Sequence, residues 1–153
     1  MPVNPDFKDL FKLLKEEAVE YLVVGAHAVI FYAEPRYTKD LDIWVNPTLE
    51  NARKVWKALL RFGAPLKDIS IEDFTDPDVI YQIGVEPNRI DIIMGIAGVE
   101  FEDALKNRVI STYDGIEISI IGKSDLIIAK KAVGRKTDIL DVERLEARKG
   151  TKT

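Results

Sequence analysis

The chain contains no cysteine and a single histidine among its 153 residues. The first absence excludes a disulfide framework and a thiolate zinc site, and the second excludes metal centres built from several imidazoles. No stretch comes near the roughly 18 consecutive apolar residues that span a bilayer. The opening MPVNPDFKDL also lacks the basic segment and apolar run of an export signal. The chain is therefore expected to work in the cytoplasm, without membrane insertion. Positive charge is not in excess either, since 22 Lys and Arg stand against 26 Asp and Glu, a net charge of -4. Bulk attraction to a long nucleic acid is disfavoured, while a local basic groove still suits a triphosphate or an RNA end. Low-complexity segments and internal repeats are missing, so disorder is expected only at the ends, including a frayed charged tail over 148–153.

What is present is an ordinary folding composition, 46% hydrophobic and 31% charged. The length fits one domain, 1–153, able to bury about two thirds of the surface of its unfolded form. Within it, the stretch VVGAHAVIFYAEPRYTKDLDIWV from Val23 to Val45 concentrates the chemistry. It reads as an apolar strand, a glycine turn at Gly25, a short helix over Ala26 to Ala33, a polar loop, and a second strand carrying Asp40 and Asp42. Side chains alternate along a strand, so these two carboxylates point the same way, with Cα atoms about 6 to 7 Å apart. Paired carboxylates repel and persist where a cation neutralises them. Oxygen-only ligands favour a hard ion, Mg2+ or Mn2+.

Asn4-Pro5 starts a first helix, with Phe7, Leu10, Phe11, Leu14 and Ala18 at core spacing. Tyr21 to Val24 reads as a buried strand, and free backbone N–H groups after Gly25 suit an anion. A strand, glycine turn and helix are equally consistent with plain packing. Glu34 to Lys39 form the loop that supplies Arg36 and Lys39 near the aspartates, while Leu41 and Ile43 face the core. Pro47-Thr48 starts a second long helix with Ala52, Val55, Trp56, Leu59 and Leu60 inward and Gly63 as its stop. Trp44 and Trp56 both read as core.

Asp68 to Asp78 is acidic and turn-rich, with a short edge strand expected around Ile69 and Ile71. Val79–Val85 and Arg89–Met94 read as a hairpin across Glu86-Pro87-Asn88. Asp91 sits in the second of these strands among isoleucines, where an ionised carboxylate is costly unless paired or metal-bound. Arg89, two residues away on the same face, is its simplest partner. A short helix with Phe101, Ala104 and Leu105 inward precedes a second hairpin, Val109–Tyr113 and Ile116–Ile121, turned by Asp114-Gly115. Two helices finish the chain, Ser124–Val133 and one capped by Thr137 that carries Ile139, Leu140, Val142 and Leu145. Lys123, Lys130, Lys131 and Arg135 gather there and are either merely solvated or poised to meet phosphate.

The ordered blocks Gly25-Ala26, Arg36-Tyr37-Thr38-Lys39-Asp40-Leu41-Asp42 and Ile90-Asp91-Ile92 resemble the nucleotidyltransferase superfamily with the DNA polymerase β-like core. The stretches GVEPNRIDIIMGIAGVEF and DLIIAKKAVGRKTDILD are similar to later blocks of its small branch related to AbiEii-type toxins, so the resemblance covers nearly all the chain. It implies an α/β (α+β) fold, a mixed sheet of about five strands flanked by helices, with the minimal core followed by C-terminal helices. It further implies that Asp40, Asp42 and Asp91 hold divalent ions, Mg2+ or Mn2+, and that Asp91 helps activate the attacking hydroxyl. A nucleoside triphosphate is the implied donor, contacted by Gly25, Ala26 and Lys130, with Arg36 and Thr38 of the polar loop either contacting the nucleotide or supporting the loop. The chain departs from the family at Ala26, where Gly or Ser is usual, so a changed fit beside the phosphates is expected. His27, in the same turn, reads first as a structural hydrogen-bonding residue.

The leading expectation is a metal-dependent enzyme moving a nucleoside monophosphate onto a hydroxyl of an RNA end such as tRNA, a protein or a small molecule, with a cognate toxin or antitoxin as a further partner. An alternative is a nucleotide-binding regulatory module of a toxin–antitoxin pair with little turnover, which Ala26 favours. A third is a structural domain whose aspartates only bind salt-bridge partners.

Overall fold

The computed structural model describes residues 3–33, 40–85 and 88–147. Six strands form one mixed sheet: β1 (Tyr21–Val24), β2 (Leu41–Val45), β3 (Ile80–Ile83), β4 (Ile90–Ile93), β5 (Val109–Tyr113) and β6 (Ile116–Ile120). Their spatial order is β3-β4-β2-β1-β6-β5, one strand more than the sequence suggested. The two outer pairs are antiparallel hairpins, β1 and β2 are antiparallel, and the β2–β4 and β1–β6 pairings are parallel. This is the expected α/β architecture.

Six helices surround the sheet: α1 (Pro5–Glu16), α2 (Gly25–Tyr32), α3 (Leu49–Phe62), α4 (Phe101–Lys106), α5 (Lys123–Val133) and α6 (Lys136–Ala147). The Asn4 side chain accepts from the backbone N–H groups of Asp6 and Phe7, which otherwise have no partner at a helix start. Helix α1 then buries Phe7, Leu10, Phe11 and Leu14 on one sheet face, with the Phe11 ring 6.2 Å from Tyr21 and 5.3 Å from Tyr113. On that face a single 3-10 turn, Ile71–Thr75, wedges Phe74 between Trp56 of α3 and Tyr81 of β3. The opposite face carries Trp44, stacked edge-on against Phe101 at 5.0 Å, and lies under α5 and α6. Among the described residues no helix is long and apolar enough to cross a membrane.

Several expectations are corrected. Ala18 falls past the end of α1 at φ 56° and is exposed, because the chain reverses there instead of completing another turn. Leu60 is 61% exposed, since the buried stripe of α3 runs through Ala52, Val55, Ala58 and Leu59. Ile69 and Ile71 make no strand; Ser70 and Asp73 cap each other across the 3-10 turn instead. Helix α6 starts at Lys136, before Thr137, and the carboxylate that accepts a backbone N–H at its start belongs to Asp138, from Arg135. Val142 and Leu145 are buried as expected, whereas Ile139 and Leu140 face outward. Residues 148–153, read as a frayed tail, lie outside the described residues.

Candidate active site

Strand pairing assembles the site. Because β2 and β4 run parallel with Asp42 opposite Asp91, two carboxylates distant along the chain stand side by side, one strand spacing or about 4.8 Å apart at the backbone. Antiparallel pairing of β1 with β2 sets Val24 opposite Asp42, which delivers the following residue, Gly25, to the same spot. Leu41 and Ile43 point into the core on the other face, 1% and 0% exposed, as the alternation requires. Asp40 precedes the first residue of β2 and sits at the mouth of the site with a half-buried side chain.

Gly25 is fixed by this packing more than by the turn itself. Its φ is +67°, a region L side chains avoid, and a Cβ placed there would lie 2.1 Å from Asp42 Oδ2. The Asp42 carboxyl therefore rests directly on the glycine at the start of α2.

Electrostatically the site is crowded. Burial pushes the Asp42 carboxyl up to about 7, helped by the charge of Asp91, a hydrogen bond to it and the charge of Asp40, against the opposing pull of Arg89. The O–H of a neutral Asp42 donates a hydrogen bond to Asp91, which is itself 7% exposed. Arg89 supplies the counter-charge: Nη2 donates to Asp40 Oδ2 at 2.7 Å, and Nε lies 3.2 Å from Asp91 Oδ1. The expected Arg89–Asp91 pair is thus present, and it extends to Asp40.

A cleft of about 150 Å³ opens in front of Asp42 and Gly25. Its far wall is α5 and α6, presenting Lys130, Arg135 and Asp138 among aliphatic side chains. Lys130 lines this cleft, and its ammonium lies 3.4 Å from Asp138 and 3.1 Å from Asp141, both carboxylates 2% exposed. Arg135 binds Asp138 at 2.8 Å and Arg144 binds Asp141 at 3.3 Å. Among the described residues Lys130, Arg135 and Arg144 thus face these two carboxylates, and the hydrogen bond from Arg135 holds the Asp138 carboxyl below its usual range. Arg36 and Thr38 lie outside the described residues.

The Ala26 backbone follows Gly25 at the start of α2, where no side chain caps the free N–H groups. His27 turns away from the aspartates. Its ring packs against Phe7 at 5.7 Å, Nε2 is buried without a hydrogen-bond partner, and burial lowers its pKa. Among the described residues no group of three or more acidic or imidazole side chains closes on a point that would hold a metal ion. Sequence reasoning missed Asp138 and Asp141, whose acidic side chains at i and i+3 on a helix were hidden in a charge-rich tail.

Comparison with known proteins now bears on this geometry. The family model described as nucleotidyl transferase of unknown function (DUF2204) matches residues 4–152. The chain belongs to that family. No curated protein matches it in sequence. Among solved structures, this nucleotidyl transferase family member is similar to the lincosamide antibiotic adenylyltransferase LnuA, seen with lincomycin bound, at TM-score 0.61 and 16% identity over 96% of this chain and 99% of that one. A proposed nucleotidyltransferase of Thermotoga maritima gives TM-score 0.64 and 15% identity over 95% and 96%. The antibiotic-resistance factor ANT(2'')-Ia gives 0.58 and 13% over 92% and 79%. These likenesses establish a shared nucleotidyltransferase fold.

Proposed function

We propose that this family member moves a nucleoside monophosphate from a nucleoside triphosphate to a hydroxyl acceptor, with Mg2+ or Mn2+ held by Asp40, Asp42 and Asp91. The observation that carries the reading is the β2–β4 register, which sets Asp91 beside Asp42, and Asp42 lines the cleft. The donor set fits a hard cation. It is all oxygen, Asp40 Oδ1 is buried without a hydrogen-bond partner, and burial together with the charges of Asp91 and Asp40 pushes the Asp42 carboxyl up. When bound, such an ion offsets charge on the phosphates as pyrophosphate leaves.

The acceptor oxygen attacks the α-phosphorus, a new P–O bond forms, and the bond to the β-phosphate's bridging oxygen breaks. Asp91 takes the acceptor's proton. Gly25 and the Ala26 backbone N–H admit the triphosphate to the start of α2, and Lys130 with Arg135 faces it from the opposite wall. Arg36 and Thr38 complete the nucleotide contacts. The acceptor is an RNA end, a protein or a small molecule, and the likeness to a lincosamide adenylyltransferase over nearly the whole of both chains supports the last of these.

The test incubates the protein with each labelled triphosphate, Mg2+ or Mn2+, and cell extract. A labelled product is expected, lost in Asp40→Ala plus Asp42→Ala without unfolding. No product under any condition, or an unfolded double variant, would overturn the reading. A second reading, a nucleotide-binding module of an AbiEii-type toxin–antitoxin pair with little turnover, draws on Ala26 and on the engagement of Asp40 and Asp91 by Arg89.

A further inference from the structure

Arg89 occupies a particular place. It sits just before β4, with its backbone carbonyl accepting from Leu41 N–H at 3.0 Å, so its main chain is anchored to β2. From there the guanidinium spans both strands. Nη2 reaches Asp40 Oδ2 at 2.7 Å and Asp91 Oδ2 at 3.4 Å, while Nε lies 3.2 Å from Asp91 Oδ1. One cation thus engages three oxygens of two carboxylates that, on the reading above, belong to the metal site. A guanidinium keeps its charge at any physiological pH, so it leaves only by rotating out. The side chain is 31% exposed, and rotation about its own bonds carries the head into solvent while the anchored backbone stays in place.

We propose that Arg89 is a resident counter-ion standing in the place of a divalent cation, and that it and the ion are alternative occupants of Asp40 and Asp91. The inference rests on the metal-site reading and adds a regulated step to it. While the guanidinium is seated, two of the three carboxylates are engaged. Loading with bare ion is suppressed, and the guanidinium offsets part of the repulsion among the carboxylates. A bidentate fork suits the task, because it bridges two carboxylates as a lysine ammonium cannot.

The experiment is a direct titration with MnCl2, read by the electron paramagnetic resonance of free Mn2+, on the nucleotide-free protein and on Arg89→Gln, Arg89→Lys and the double variant Arg89→Gln plus Asp40→Asn. Arg89→Gln is expected to bind Mn2+ at least tenfold more tightly than the parent, and Arg89→Lys to fall between, because it keeps the charge but cannot span both carboxylates. The double variant should lose the gain. A circular dichroism melt checks folding, and Arg89→Lys alone carries the test if the glutamine variant does not fold. Unchanged or weaker Mn2+ binding in both single variants overturns the proposal while leaving the metal site standing. So does an Arg89→Lys that matches the parent while Arg89→Gln tightens, since the effect would then be the field of a charge without competition for the seat. If no form binds Mn2+ at millimolar concentration, the metal-site reading falls and this proposal with it.

Discussion

Replacing Asp42 with asparagine should stabilise the empty protein while abolishing transfer. The Asp42 carboxyl is raised from an ordinary 3.8 to about 7 by burial and by Asp91 and Asp40. The folded protein therefore holds this proton more tightly than the unfolded chain. Unfolding releases it between those two pH values, so stability falls as pH rises through the window and levels off above about pH 7. At ~1.4 kcal/mol per tenfold change in proton affinity, the displacement from 3.8 to about 7 sets a ceiling of about 4 kcal/mol. Asparagine has no proton to lose and its amide still donates to Asp91. The variant should gain about 2–4 kcal/mol near pH 8 and little near pH 4.5, read by urea unfolding with a chelator present. A gain of the same size at both pH values, or none near pH 8, would refute the argument. Stability gained by deleting a reactive group is the mark of a site built for function.

Three other substitutions probe the surroundings. Gly25→Ala combines a positive φ with a Cβ driven into the Asp42 carboxyl, so it should cost about 1–2 kcal/mol in thermal unfolding and suppress labelling by displacing Asp42. His27 is the only histidine, so its imidazole resonances are unambiguous, and burial predicts a titration midpoint below the ordinary 6.5. Its sign is opposite to that of Asp42 in effect: the unfolded chain binds this proton more tightly, stability is lost as pH falls below about 6.5, and His27→Leu should flatten that loss. A midpoint at or above 6.5 would contradict the buried, neutral assignment. Lys130→Met removes the most buried of the cations that face Asp138 and Asp141 and should cost about 3 kcal/mol by chemical denaturation. A loss under half a kcal/mol would show that the two carboxylates are held without Lys130.

Local signals were legible wherever one stretch of chain decides its own conformation. Asn4-Pro5 starts α1, Asp114-Gly115 turns β5 into β6, and Leu41 and Ile43 alternate with Asp40 and Asp42 as strand geometry demands. The family blocks were legible for the same reason, since they are short and contiguous, and a family model spanning residues 4–152 bears out the nucleotidyl transferase assignment. Errors gathered where burial depends on what lies opposite. Leu60, Ile139 and Leu140 have core periodicity but are exposed, and periodicity records only which residues share a face, not whether that face is covered.

The sequence alone determined that two aspartates on one strand share a side, that a glycine bend precedes a short helix, and that a third aspartate lies among isoleucines. Pairing order and register belong to the tertiary structure. Only the insertion of β2 between β1 and β4 brings Asp42 against both Gly25 and Asp91, and only that arrangement lets Arg89 reach across to Asp40. The reason is physical: side-chain alternation is a property of one strand, whereas the crowding of charges in a cleft is a property of strands that meet from distant parts of the chain.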